Sequence, residues 1–288
     1  MPLILVRYGE LALKSPNVRR RFEDRLVRNI HELFLSEKLE CLTRMERGRI
    51  FLTVADFEKA SKALSRVFGI VSFSPVHETT HEIAEIEKKV IELAEPLLKE
   101  GSSFAIRATR AGSQGYTSQD LAKAVGAAVM AHFKGRNISV DLDEPDVELF
   151  VEARDNRAFS FTESFKGPGG MPYGTQGRAL AIIEREEDIT AAWLVAKRGC
   201  EIVCAQTSEQ LSGPLKKWCP GPEILPLPEK TEMLWDAAYK VGAQALILGW
   251  GLEKVEREAL KGPLPVFYPL VGLSDDEAKR ILQKVRGD

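Results

Sequence analysis

The residues best placed to do chemistry share one turn. The apolar segment Arg178-Ala179-Leu180-Ala181-Ile182-Ile183 reads as a strand and runs into Glu184-Arg185-Glu186-Glu187-Asp188. Ile189 to Cys200 then follows with helical spacing of Ile189, Trp193, Leu194 and Ala196. A tight turn between a strand and a helix N-terminus is where α/β domains bind phosphate, because backbone N–H groups converge there and face outward. Such chemistry needs small residues, so that the backbone can approach the anion closely. Here the turn carries four carboxylates and no glycine. A carboxylate about 4 Å from a phosphate repels it by ~1 kcal/mol in water-like surroundings and by several times that near a protein surface. The scaffold of a phosphate site is present and the site is disabled, which leaves a solvated charged turn. A metal cage from Glu184, Glu186, Glu187 and Asp188 would need convergent oxygens that adjacency alone does not supply.

A second set of residues suits phosphate better. Phe22, Leu26, Ile30 and Leu33 recur at helical spacing, and the other face of that helix holds Arg19, Arg20, Arg21, Arg25 and Arg28. The formal charge of −2 hides this asymmetry: residues 1–50 carry eleven Lys and Arg against seven Asp and Glu, whereas residues 51–170 carry fourteen against eighteen. Only the first segment has the balance of a phosphate-facing surface, although a basic helix face is often merely solvated. Cys200 and Cys204 fall four apart on one predicted strand, with Cys219 beyond, and a buried inert thiol is the default reading of each. His31, His77, His81 and His132 have no metal-ligand spacing. Asp236 and Glu232 belong to a solvated helix face.

The elements that must position these residues follow from pattern and punctuation. Leu3 to Arg7 reads as a strand, the basic helix follows, then a strand at Arg49 to Val54 and a helix at Phe57 to Val67, a small α+β sandwich. A second unit starts near His77. It has helices at Ile83 to Leu98 and at Ser118 to Phe133, the latter with Ser118 as N-cap and Asp120 in its first turn. Its strands are Ser103 to Thr109, Val140 to Leu142, and Val147 to Ala153, which pairs with Arg157 to Glu163 through the turn Arg154-Asp155-Asn156. After the glycine-rich linker Lys166 to Gly177, strands near 178–183, 200–205, 244–249 and 265–269 alternate with helices, the signature of a parallel sheet. Gly199 is placed to end the helix that Lys197-Arg198 closes.

At 288 residues, 44% apolar and 28% charged, the composition is that of a folded protein with two or three cores. No run approaches the roughly 18 apolar residues of a membrane helix. With four cysteines and no signal-peptide pattern, a cytoplasmic protein with reduced thiols and no membrane contact is expected. Asn and Gln are scarce, at four and seven, which points toward a thermophilic source.

Three separate stretches resemble the tRNA 4-thiouridine synthetase family, the tRNA sulfurtransferases. Val6-Arg7-Tyr8-Gly9-Glu10-Leu11-Ala12-Leu13-Lys14, with Arg20-Arg21-Phe22-Glu23 and Asn29-Ile30, is similar to the family's opening signature. Phe104-Ala105-Ile106-Arg107-Ala108, Thr117-Ser118, Val125 to Val129, Val140-Asp141-Leu142, Pro145-Asp146 and Val151-Glu152-Ala153-Arg154 resemble a THUMP domain. Gly169-Gly170-Met171-Pro172-Tyr173-Gly174-Thr175 is similar to the family's passage into its nucleotide domain. The resemblance implies an α/β and α+β chain of three parts. These are a ferredoxin-like domain over 1–75, a THUMP RNA-binding domain over 76–167, and over 168–288 a truncated, Rossmann-like PP-loop domain with a parallel sheet.

It further implies tRNA as partner, held at its acceptor 3′ end. Lys14, Arg19, Arg20, Arg21, Arg25, Arg28, Arg107 and Arg110 would contact phosphates, and Tyr116 would stack on bases, with Tyr8 and Phe133 as further stacking candidates. In the family, ATP adenylates a tRNA uridine and a persulfide sulfur displaces the adenylate. The family's Ser-Gly-Gly-x-Asp-Ser phosphate loop falls on Ile183-Glu184-Arg185-Glu186-Glu187-Asp188, where no position keeps the family's residue. A later family loop is replaced by Trp250-Gly251-Leu252-Glu253-Lys254-Val255-Glu256-Arg257, and the family's Cys-x-x-Cys spacing is absent. The expectation is a tRNA-binding, non-catalytic relative with no cofactor and a degenerate ATP loop. The alternatives are an active tRNA sulfurtransferase with an altered nucleotide site, and a docking protein for another RNA-modifying enzyme. Either a second copy of the chain or such an enzyme would then be its protein partner.

Overall fold

A computed structural model describes residues 1–9, 15–46, 48–208, 211–219 and 221–287. The chain opens with β1 (Leu3–Tyr8), α1 (Pro16–Ser36), β2 (Cys41–Glu46), β3 (Arg49–Val54), α2 (Phe57–Leu64) and β4 (Ile70–Thr80). Next come α3 (Ile83–Ala94), β5 (Ser103–Ala111), α4 (Ser118–His132), β6 (Ser139–Val140), β7 (Val147–Arg154), β8 (Arg157–Phe161) and β9 (Phe165–Lys166). The remainder is β10 (Arg178–Ile183), α5 (Glu186–Lys197), β11 (Glu201–Gln206), β12 (Glu223–Pro226), α6 (Met233–Lys240), β13 (Leu246–Leu248), α7 (Leu252–Glu258), β14 (Val266–Phe267) and α8 (Asp275–Arg286).

Among the described residues, one sheet has the order β2-β3-β1-β4-β8-β7-β5-β6 with β9 beside β4, and a second has the order β12-β11-β10-β13-β14. Every pairing in the second sheet is parallel. The chain lays β11 and β12 to one side of β10 and then β13 and β14 to the other. The strand order therefore reverses between β10 and β13, and the carboxyl edge at such a reversal is where open parallel sheets bind ligands. The acidic turn after β10 stands at that edge.

By contacts the chain divides into two units: Met1–Leu5, Phe51–Phe57 and Phe73–Phe165 form the first, and Val6–Ile50, Glu58–Ser72 and Lys166–Asp288 the second. In the first unit α3 and α4 bury Ile86, Val90, Leu121 and Val125 against Phe104, Leu149 and Val151 of β5 and β7. The hairpin turns through Asp155-Asn156, pairing Arg154 with Arg157. Thr117, rather than the expected Ser118, caps α4. Its hydroxyl accepts the Asp120 N–H at 3.1 Å while the Asp120 carboxylate accepts the Thr117 N–H at 2.9 Å. Asp120 is three residues past Thr117, the spacing at which the two caps are reciprocal. The strands β2, β4, β9 and β12 have no clear period in the sequence, and β4 runs unbroken through His77.

The second unit is pinned by aromatics and by one carbonyl. Phe68 stacks on Trp218 with centroids 5.5 Å apart and meets the Trp193 edge at 5.5 Å, and the two tryptophans cross at 5.2 Å. The Trp218 indole N–H donates to the Val285 carbonyl at 2.9 Å, fixing α8. From α1, Arg25 Nε and Asn29 Nδ2 both donate to the Tyr173 carbonyl, at 2.8 and 3.1 Å. The Tyr173 hydroxyl in turn accepts the Ile202 N–H of β11 at 2.9 Å. Gly199 has φ +94° beyond α5, the left-handed position that the sequence assigns to it. Phe68→Ala empties a fully buried ring site and is expected to cost about 3–5 kcal/mol, read as a lower urea midpoint. Leu142→Ala, at an exposed position, should change stability by less than about 0.5 kcal/mol. Equal midpoints would show that the aromatic cluster does not hold this unit.

Candidate functional site

Ile183 ends β10 fully buried, and Glu184, Arg185, Glu186 and Glu187 are exposed. Asp188 behaves differently from its neighbours. At 4% exposure its side chain folds back into the turn, and Oδ2 accepts the backbone N–H groups of both Glu184 and Arg185 at 2.9 Å. Oδ1 is 3.7 Å from the Arg185 guanidinium. Gly249, just past β13, lies against the same carboxylate, and a Cβ there would stand 2.2 Å from Oδ1. Burial pushes the Asp188 carboxyl above its ordinary range, against the opposing pull of the two N–H bonds. Of the four carboxylates, three face solvent. Glu186 pairs with Arg286 of α8, and the acids of this first helical turn complement the helix dipole.

A cavity of about 760 Å³ opens at the same edge, with Arg185, Lys254, Arg257 and Lys279 as its cations and Glu187, Glu253 and Asp275 as its anions. The buried Thr190 hydroxyl lines it and has no hydrogen-bond partner among the described residues. After Trp250-Gly251 the chain forms α7, with Lys254 4.1 Å from the Trp250 ring. No group of three or more His, Cys, Asp or Glu that could hold a metal occurs among the described residues, and no described helix is long and apolar enough to cross a membrane.

Residues 3–74 match the ThiI ferredoxin-like domain and residues 80–162 match the THUMP domain. The chain is 33% identical to a probable tRNA sulfurtransferase of Methanosarcina mazei, over 98% of its own length and 82% of the relative's. It is 30% identical to the tRNA sulfurtransferase of Pyrobaculum aerophilum, over 99% of itself and 67% of that protein. The chain belongs to the tRNA sulfurtransferase family. The alignment with the M. mazei protein spans 333 positions against the 288 residues of this chain, so that relative carries residues this member lacks. Among solved structures, PH1313 from Pyrococcus horikoshii Ot3 superimposes with a TM-score of 0.83 at 27% identity, covering 99% of both chains. A 4-thiouridine synthetase, crystallised as an RNA complex with bound ATP, shares the fold with a TM-score of 0.78 at 22% identity, over 99% of this chain and 85% of that one.

The basic residues of this chain sort by what already holds them. Arg20, Arg21 and Arg28 are exposed on α1. Arg25 is engaged by the Tyr173 carbonyl, and half-buried Arg19 lies beside Tyr8, whose hydroxyl donates to Glu23. Lys14 lies outside the described residues. In the first unit Arg107 pairs with Glu148 at 2.8 Å and donates to the Leu142 carbonyl at 2.9 Å, and exposed Arg110 donates to the Gly112 carbonyl at 2.7 Å. Of the stacking candidates, Tyr116 is half-buried with its hydroxyl on the His81 carbonyl at 2.8 Å. Tyr8 and Phe133 are buried. Tyr8 and Phe133 are thus packed into the fold, a commitment of side chains that one-dimensional spacing does not reveal.

Of Cys200, Cys204 and Cys219, the latter two follow the buried reading and Cys200 is half-buried. Cys204 and Cys219 are fully buried, and Cys200 stands just before β11 with its thiol toward the Gln176 carbonyl at 3.7 Å. Burial pushes the Cys204 thiol up to about 12 and the Cys219 thiol up as well, although the Tyr173 hydroxyl donates toward Cys219. Iodoacetamide at about pH 8 should therefore leave Cys204 and Cys219 unmodified until the protein is unfolded. Rapid native labelling of either would contradict their burial.

Asp188→Ala strips the acceptor from two backbone donors and is expected to cost about 0.5–2 kcal/mol, as loss of a cap does. Asp188→Asn keeps an acceptor oxygen and should cost less. The pH dependence has a definite sign. Because the folded carboxyl titrates above its unfolded value, the wild type loses stability as pH rises from the ordinary aspartate range through that raised value. The Asn variant should lack this loss in thermal melts, and an unchanged profile would place the Asp188 carboxylate in solvent.

Proposed function

We propose that this chain is a tRNA-binding member of its family that does not use ATP in the family's manner. The observation that carries the second half is the saturation of the Glu184 and Arg185 N–H groups by the Asp188 carboxylate. Those donors open the turn where the family places phosphate. A phosphate arriving there meets a carboxylate already in place, three further acids at the surface and Gly249 packed behind. The residues present do not fit the nucleotide, and no adenylation step is assigned to them.

Support for the RNA half comes from family membership, the THUMP match and the exposed arginines of α1. Arg20, Arg21 and Arg28 would neutralise backbone phosphates, with Arg110 as the exposed candidate in the THUMP domain, and the acceptor 3′ end would be the part held. Arg25 and Tyr116 drop out of the contact set because the fold already uses them. A second reading, an active sulfurtransferase with an altered nucleotide mode, is favoured by one observation, the 760 Å³ cavity and its cations.

Thermal melts with ATP and magnesium, beside titrations with tRNA, separate the two readings. ATP should give no shift, whereas a ligand at 100 times its Kd would add about 2.7 kcal/mol. A clear rise in Tm with millimolar ATP would favour the second reading. Arg20→Glu, Arg21→Glu and Arg28→Glu together should weaken tRNA binding and flatten its salt dependence, by ~0.7–0.9 in log–log slope for each phosphate no longer neutralised. tRNA lacking its 3′ end should bind less well than intact tRNA. Unchanged affinity and slope would reduce the basic helix to a solvated face.

A further inference from the structure

A second cavity, of about 410 Å³, lies wholly within the second unit and shares no lining residue with the acidic turn or the exposed α1 arginines. Its walls carry Arg66, Lys166, Lys217 and Lys284, above Trp218 and Val285. Among the described residues that line it, none is a carboxylate. The four cations come from four places in the sequence: the turn after α2, β9, the turn Gly213–Lys217 and the last turn of α8. Cations brought together from separate elements repel one another, a cost that an anion between them removes.

The local partners account for part of this charge. Arg66 pairs with Glu37 and donates to the Lys62 carbonyl at 3.1 Å. Lys217 Nζ donates to the Arg286 carbonyl at 2.6 Å, and the Lys284 ammonium stands 5.7 Å from the Trp193 ring. The C-terminal carbonyls of α8 favour nearby cations, which explains Lys217 and Lys284. Glu37 and the Lys62 carbonyl hold Arg66, and neither set explains Lys166, which β9 brings to the same cavity. The cavity at the acidic turn, by contrast, mixes both signs.

We propose that this cavity is a binding site for phosphate groups. Its size falls within the roughly 300–1,000 Å³ of ligand pockets and leaves room for more than one phosphate, so the ligand is either a free polyphosphate or adjacent phosphates of an RNA backbone. Lys166, Lys217 and Lys284 are exposed enough to reach it as point charges, and Arg66, already held by Glu37 and the Lys62 carbonyl, adds charge to the wall.

The full chain is titrated with inorganic tripolyphosphate by calorimetry and by tryptophan fluorescence, which Trp218 in the cavity wall should report, and separately with tRNA. Saturable tripolyphosphate binding is expected in the wild type, with at least a tenfold loss in the triple variant Lys166→Gln, Lys217→Gln, Lys284→Gln. The charge-matched variant Lys230→Gln, Lys240→Gln, Lys261→Gln, outside the cavity, should bind as the wild type does. If tRNA affinity and salt slope fall in the first variant alone, the RNA backbone is the source; if tRNA binding is unchanged while tripolyphosphate binding is lost, the source is a free polyphosphate. Equal tripolyphosphate binding by the wild type and the cavity variant, or none by the wild type, overturns the proposal. Should the triple variant fold poorly, Lys166→Gln alone, on an exposed side chain, is expected to weaken tripolyphosphate binding about threefold, and undiminished binding by that variant overturns the proposal equally.

Discussion

Two backbone N–H groups at the carboxyl edge of a parallel sheet point to a carboxylate of their own turn, and the arrangement around them follows from that. In α/β phosphate sites such donors are left for a ligand. Here Asp188, at the third position of α5, supplies the acceptor internally at 2.9 Å to each donor. An internal acceptor loses little further entropy when it binds, whereas a diffusing anion must first be immobilised. A ligand would also have to turn out a buried carboxylate that Gly249 contacts closely. The turn is thus a folded, self-capped helix start.

The rest of the second unit keeps the frame of the tRNA sulfurtransferase family around this altered turn. Tyr173 is its junction: its carbonyl takes Arg25 and Asn29 from α1, and its hydroxyl takes Ile202 from β11. Phe68, Trp193 and Trp218 join the turn after α2 to α5 and α8. Arg25, which ties α1 to the linker through its Nε, is half-buried, and the helix face left to solvent bears Arg20, Arg21 and Arg28.

Much of this was legible in the sequence, and the misses share a cause. The parallel sheet, the two long amphipathic helices of the first unit, the hairpin at Asp155-Asn156 and the Gly199 stop all rest on local periodicity or turn chemistry, which neighbouring residues encode. The acidic turn was legible as a run of charge after β10, but not the inward fold of Asp188, since five charged residues in a row carry no sign of which one is buried. Thr117 and Ser118 are equally good caps by type, and only the distance to Asp120 decides between them. For Arg25, Arg107 and Tyr116 the sequence shows the residue type but not the partner in the fold, since Tyr173, Glu148 and His81 lie 148, 41 and 35 residues away. The cationic cavity was likewise invisible, because its four side chains meet only once the chain is folded.

The Asp188 carboxylate accepts the Glu184 and Arg185 N–H groups of the turn, and the proposed reading is that no nucleotide takes its place. Backbone amide NMR tests this most directly, by following the Glu184 and Arg185 N–H resonances while pH is varied and then while ATP with magnesium is added. Both resonances are expected to titrate together with a carboxyl above the ordinary aspartate range, and to stay unmoved by millimolar nucleotide. Amides that ignore carboxyl titration and shift saturably with ATP would contradict an internally capped turn.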